Sequence, residues 1–330
     1  MPITRRHLVA TALAAPIVIG ARAGAAALPQ TLQSAASLDQ LRAIAIWRDG
    51  AEIAAQGYGR WTPDQPTNIK SASKSIISAL AGIAIERGHL QGPDQPIAPI
   101  LRDDLPANPD PRLAQITLGN LLSMQAGLER QSGANYGAWV SSRNWVRAAL
   151  AAPFTQDPGG SMQYSTASSH LVSALLTRTT GRSTLDLARD WLGGIPNFRI
   201  TGWERDPQGI YLGGNQMAMS TRSLLAFGAT YAAGGAGVVP RDWIAQSWRP
   251  RTASIFSGQS YGYGWFLGRF GGRPVNYGWG YGGQMIYVLP QHRGRAAAAI
   301  AITSDPDQPS ARTGYRNELH RLADAITKAL

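Results

Sequence analysis

Strand-like sequence stands at both ends of this chain and helix-like sequence fills the middle, an order that few folds can accommodate. Alternation in Leu41-Arg42-Ala43-Ile44-Ala45-Ile46-Trp47, then Asp49-Gly50, then Glu52-Ile53-Ala54-Ala55, predicts a β-hairpin closed by a tight turn. Strand patterns return only late, over 262–267, 274–278, 284–290 and 296–303, and read as a meander followed by a closing helix over 315–330. From Ser71 to Gly88 the period becomes helical, with small and branched apolar residues on most faces, so that helix is expected to be largely buried. Further helices are expected over 117–125, 143–152, 167–179, 183–192 and 221–233, with Ser183 and Asp186 as a capping pair. The strands of the two ends must share a sheet. The expectation is an α+β fold in which an antiparallel sheet flanked by helices (about 35–70 and 249–330) carries an inserted α-helical lobe (about 71–248). The Ser71 helix then lies where the two lobes join, a common place for a small-molecule cleft.

Charge narrows the function classes. Lys+Arg number 31 against Asp+Glu 20, a net +11, but the basic residues are scattered singly and form no stripe, which argues against nucleic acid as a partner. Only Lys70, Lys74 and Lys328 are lysines. Cysteine is absent, which excludes a disulfide framework, a thiolate metal site and a cysteine nucleophile. The opening Thr4-Arg5-Arg6-His7-Leu8-Val9, the apolar run to Gly20 and Ala21-Arg22-Ala23 have the parts of a twin-arginine export signal. Residues 1–27 are therefore expected to be removed, with a mature start between Gly24 and Leu28. A domain over 28–330 would then be periplasmic or secreted, without a stable membrane anchor.

Ser71-Ala72-Ser73-Lys74 places an oxygen nucleophile and an amine three positions apart, on one face of a helix. A serine at a helix start also meets backbone N–H groups able to stabilise an oxyanion. Lysine can accept the serine proton only if burial lowers its pKa from about 10.4 toward neutrality. Taken alone, Ser-x-x-Lys also describes an N-cap serine followed by a solvated lysine.

The surroundings of the motif separate these readings. The segments Asn68-Ile69-Lys70-Ser71-Ala72-Ser73-Lys74-Ser75 and 116–128 (ITLGNLLSMQAGL) resemble the serine β-lactamase and penicillin-binding-protein superfamily. Tyr164-Ser165-Thr166 looks like its Tyr-x-Asn element, with Thr166 where an asparagine is usual. The resemblance implies a transpeptidase-like fold, Ser71 as nucleophile, Lys74 and Tyr164 as proton carriers, Thr166 as a substrate contact, and no cofactor or metal. In place of the family's Lys-Thr-Gly strand stands Gly278-Trp279-Gly280-Tyr281-Gly282-Gly283-Gln284, similar to the entry of the esterase and 6-aminohexanoate-dimer hydrolase branch of class C β-lactamase relatives. The backbone N–H groups of Ser71 and Tyr281 are then expected to form the oxyanion hole, with Gly280 and Gly282 close to substrate. Segments 203–214, 219–222 and 260–265 extend the likeness over roughly 40–330. The implied activity is hydrolysis of a small ester, amide or peptide through an acyl-serine; a penicillin-binding-like protein that holds an acyl donor with little turnover is the alternative.

Three other constellations are weaker. Gly258-Gln259-Ser260-Tyr261-Gly262, with Asp305 and His320 downstream, has the order of an α/β-hydrolase triad but lacks a preceding buried strand. His89, His170 and His292 show no metal-ligand spacing. Arg312-Thr313-Gly314 matches the missing Lys-Thr-Gly only superficially, because it follows the last expected strand.

Overall fold

The computed structural model describes residues 20–330, with side chains from Ala27 onward. Arg5, Arg6 and most of the expected export signal lie outside the described residues. Helix α1 (Gly20–Ser34) runs through the zone expected for cleavage.

The two ends of the chain do meet. β1 (Leu41–Arg48) and β2 (Ala51–Gly57) form the hairpin, and both turn residues, Asp49 and Gly50, have positive φ, the twist that suits a two-residue connection. After the two-residue β3 (Thr67–Asn68), a 3-10 turn over Lys70–Ala72 leads into α2 (Ser73–Glu86). The middle of the chain holds α3 (Leu118–Leu122), α4 (Tyr136–Val140), α5 (Trp145–Leu150), α6 (Thr166–Thr180) and α7 (Thr184–Trp191). It continues through β4 (Gly202–Trp203), β5 (Met217–Met219), α8 (Thr221–Ala232) and α9 (Arg241–Ser247). Then come β6 (Thr252–Ala253), β7 (Ser260–Tyr261), β8 (Phe266–Phe270), β9 (Arg273–Trp279), β10 (Met285–Leu289), β11 (Ala298–Ser304) and α10 (Tyr315–Ala329).

The large sheet is antiparallel in the order β2-β1-β11-β10-β9-β8-β7-β6, so the first hairpin is stitched to the last strand by β1 pairing with β11. A second sheet, β3-β5-β4, fastens the segment before Ser71 to the inserted helices. Side-chain alternation sorts the large sheet into two packed faces. Ala45, Ile286, Val288, Ala299 and Ala301 join the core that contains α2, α6 and α8. Ile44, Ile46, Tyr287, Leu289, Ile300 and Ile302 join the other core, against Leu32 at the end of α1 and Leu319, Ala323 and Ile326 of α10. The alanines on the first face let α8 lie close to β1, β10 and β11, so this helix of the inserted lobe is also a layer of the sheet.

Three expectations about elements change. The expected strand over 262–267 is a hairpin: Tyr261 pairs with Phe266, Gly262 N–H donates to Trp265 O, and Gly264 turns the chain with φ +80°. Alternation there reflects packing on both sides of a bend. The helix expected over 117–125 lasts only from Leu118 to Leu122, because Met124 adopts positive φ and ends it. Short α4 and α9 carry too few residues to show a period in sequence and were not expected.

Candidate active site

α2 carries no acid or base in its interior except Lys74, which is sealed at the junction of the two lobes with 2 % of its surface exposed. Three groups from three parts of the chain meet its amine. Nζ lies 3.0 Å from Ser71 Oγ, 2.8 Å from Gly214 O and 3.4 Å from Thr166 Oγ1. Among the described residues no carboxylate offsets the loss of water, so burial pushes the Lys74 pKa down to about 7. Lys70, immediately before Ser71, holds a positive φ of 50°, a conformation disfavoured for a side-chain-bearing residue. Its backbone N–H is fixed by Asn68 Oδ1 at 2.9 Å.

Tyr164 enters from the loop ahead of α6. Its ring packs edge-on against Phe256, and Lys74 Nζ stands 5.1 Å from the ring centre. Burial pushes the phenol up to about 12, while a hydrogen bond with the Ser71 side chain and the charge of Arg130 act in the opposite direction. At neutral pH the phenol is thus protonated. The hydroxyl of Thr166 reaches Ser132 Oγ at 3.0 Å, and Thr166 N–H donates to the same Ser132 oxygen at 2.8 Å. Thr166 both lines the cleft and completes the surroundings of Lys74.

The cleft has a volume of about 640 Å³. Ser71, Tyr164, Thr166 and Tyr281 all line it, joined by the aromatics Tyr136, Phe256 and Trp279. Its charged lining is wholly cationic: Lys70, Arg130 and Arg312. Tyr281, 52 % exposed, sits on the turn between β9 and β10. Among the described residues no acceptor takes the backbone N–H of Ser71 or of Tyr281. Buried Gln284 pins that turn, donating to Ser304 O at 3.0 Å and accepting from Gly282 N–H at 3.1 Å.

Gly280 and Gly282, expected beside substrate, do not line the cleft. A Cβ at Gly280 would stand 2.4 Å from Ile69 O, and one at Gly282 2.1 Å from Asp305 O. These glycines admit neighbouring backbone, and that contact brings the end of β9 against the segment entering Ser71. Trp265 and Tyr261 pack in the core, as does Tyr263. Arg312 does follow the last strand, yet it reaches the cleft wall.

The alternative triad does not assemble. Ser260 lies in a strand paired with Leu267, Asp305 pairs with Arg42 at 3.4 Å, and His320 Nδ1 is 3.0 Å from Tyr287 Oη. His89 stacks on Trp191, and His170 is buried beside Asp206. Sequence reasoning missed Gly214, Ser132 and Arg130. The first contributes only a backbone carbonyl, which no residue type announces; the other two sit on a loop without periodicity.

Comparison with known proteins agrees with this architecture. The Beta-lactamase family profile matches residues 35–323. EstCE1, a hydrolase with promiscuous acyltransferase activity, superposes with a TM-score of 0.72 at 18 % identity, covering 93 % of this chain and 99 % of its own. D-amino acid amidase from Ochrobactrum anthropi SV3 gives 0.69 at 17 %, covering 92 % and 100 %. A Bacillus anthracis protein described as a 6-aminohexanoate-dimer hydrolase gives 0.69 at 16 %, covering 88 % and 82 %. Curated protein sequences contain no significant match. With its fold, and with the family profile spanning nearly all of the described residues, the chain belongs to the Beta-lactamase family.

Proposed function

We propose that this protein is an exported serine hydrolase that cleaves a small ester or amide through an acyl-enzyme on Ser71. The observation that carries the reading is the set of partners around Lys74. A neutral amine has two N–H donors and one lone pair. Gly214 O and Thr166 Oγ1 take the donors, which leaves the lone pair for the Ser71 hydroxyl. With a pKa near 7, Lys74 is substantially neutral under ordinary conditions and can act as the base.

In the proposed reaction Ser71 Oγ attacks the substrate carbonyl while its proton passes to Lys74 Nζ. The oxyanion is received by the N–H groups of Ser71 and Tyr281. Tyr164, a phenol rather than a phenolate, hands its proton to the departing oxygen or nitrogen and recovers one from Lys74. Water then repeats the sequence on the acyl-serine, so protons balance over the cycle. The esterase and amidase similarities support the choice of esters and amides, and the absence of Lys-Thr-Gly disfavours β-lactams.

Steady-state hydrolysis of p-nitrophenyl esters tests the reading. Lys74→Ala should lower kcat by roughly 1,000-fold or more while leaving the fold intact. Near-normal turnover in that variant would remove lysine from the mechanism.

A further inference from the structure

Behind the cleft lies a buried ionisable pair that the reaction above does not use. His170 on α6 and Asp206 are both fully buried, with Nε2 3.0 Å from Oδ2. The tryptophans of two short helices wall the ring in edge-on, Trp139 of α4 at 5.6 Å and Trp145 of α5 at 5.7 Å between centroids. Asp206 also accepts backbone N–H bonds from Gln208 and Ile210 through Oδ1, at 2.9 and 2.8 Å. No other charged side chain makes an ion pair or hydrogen bond with His170 among the described residues.

The other ring nitrogen faces the catalytic apparatus. Gly213 N–H points to His170 Nδ1 at 3.4 Å, and the next residue supplies the carbonyl that holds Lys74 at 2.8 Å. Since Nδ1 accepts, Nε2 must carry the proton that goes to Asp206, which fixes the neutral tautomer. The Gly213-Gly214 segment lies directly on α6. A Cβ at Gly213 would come within 2.1 Å of Ser169 O, and one at Gly214 within 2.7 Å of Lys74 Cγ and 3.0 Å of Ser169 Oγ. Among the described residues Ser169 Oγ is buried with no hydrogen-bond partner, so it does not secure this segment. Ser173 Oγ of α6 holds Tyr211 O at 2.7 Å, and among the described residues the polar tie from α6 to Gly213 itself is the imidazole.

We infer that His170, oriented by Asp206, is a positioning residue that holds the Gly213-Gly214 backbone so that the Gly214 carbonyl captures one Lys74 N–H and aims the amine's lone pair at Ser71. The inference rests on Lys74 acting as the base. It assigns the segment carrying Asp206 a role in catalysis at a distance from substrate. Lys74 Nζ also meets Ser71, Thr166 and the ring of Tyr164, on which Arg130 acts, and Ser169 lies beside its stem; each belongs to an element other than the Asp206 segment.

The test is the rate at which a fluorophosphonate labels Ser71 in the full-length protein, followed against pH alongside thermal melting. Asparagine can present its Oδ1 where Nδ1 was, keeping an acceptor for Gly213; glutamine reaches Asp206 but offers Gly213 nothing. His170→Gln should label about tenfold more slowly than wild type with its acid limb moved to lower pH, because the ammonium loses the Gly214 acceptor, and His170→Asn should recover most of that rate. His170→Phe, which keeps the ring volume, should behave like His170→Gln. Should His170→Phe not fold, the Asn and Gln pair still decides. Equal labelling rates and unchanged pH midpoints in His170→Asn and His170→Gln, whatever their melting temperatures, would overturn the inference. Failure of the wild-type protein to label at Ser71 would instead defeat the reading of Lys74 as base.

Discussion

A lysine buried without a counter-ion is a liability for folding and an asset for proton transfer, and Lys74 has both properties. Its folded pKa is depressed to about 7 from an ordinary 10.5, so between those values the unfolded chain binds more protons than the folded one. Stability conferred at this position should therefore rise with pH from about 7 toward 10.5, with the full penalty present below 7. Each pKa unit corresponds to about 1.4 kcal/mol, so Lys74→Met should gain a few kcal/mol at pH 6, measured by chemical denaturation, while losing activity. Lower stability in Lys74→Met at pH 6 would mean that the ammonium finds compensation. The same depression predicts an activity profile whose acid limb rises through about pH 7. Ser71, Lys74 and Tyr164, which the structure brings together, can be singled out in sequence because each side chain carries distinctive chemistry. The carbonyl of Gly214, 140 residues beyond Lys74, was not, since every residue owns a carbonyl and only the fold selects one.

At the scale of elements, periodicity succeeded where an element is long and failed where packing or a turn overrides it. α2, α6, α8 and α10 emerge near their expected bounds because 12 to 15 residues give the apolar pattern room to repeat. Residues 262–267 have the pattern of one strand because glycine and aromatic residues alternate through the bend just as they would along a strand. Local chemistry was more dependable at α7, where Ser183 Oγ accepts from Asp186 N–H and bonds the Asp186 carboxylate at 2.6 Å. Ser183→Ala should destabilise the protein by about 1 kcal/mol without changing activity, as read from denaturant midpoints and ester turnover. A loss of activity greater than the loss of folded protein would show that α7 is coupled to the site.

Taken whole, the molecule is a sheet closed by its two ends around an inserted set of helices, with Ser71 at the join. That arrangement was readable from the order of strand-like and helix-like segments alone. The depth of interleaving was not, because α8 belongs to the middle of the chain and yet covers β1, β10 and β11. At this scale the missing Lys-Thr-Gly matters: the end of β9 and the turn after it line the cleft with Trp279 and Tyr281, and no cation stands on that strand end. Nitrocefin turnover should be slow beside that of simple esters, and rapid turnover would contradict the substrate assignment. Export is the other whole-chain proposal. N-terminal sequencing of the secreted or periplasmic protein should find a start between Gly24 and Leu28, and recovery of the intact amino terminus would count against it.

The central claim, that Ser71 is an activated nucleophile, is tested most directly by treating the purified protein with a fluorophosphonate and locating the adduct by peptide mass mapping. A single adduct is expected on the peptide containing Ser71, lost in Ser71→Ala and strongly slowed in Lys74→Ala. An adduct at Ser260 would contradict it by reviving the alternative triad, and no adduct at all would point to a protein that holds an acyl donor without turning it over.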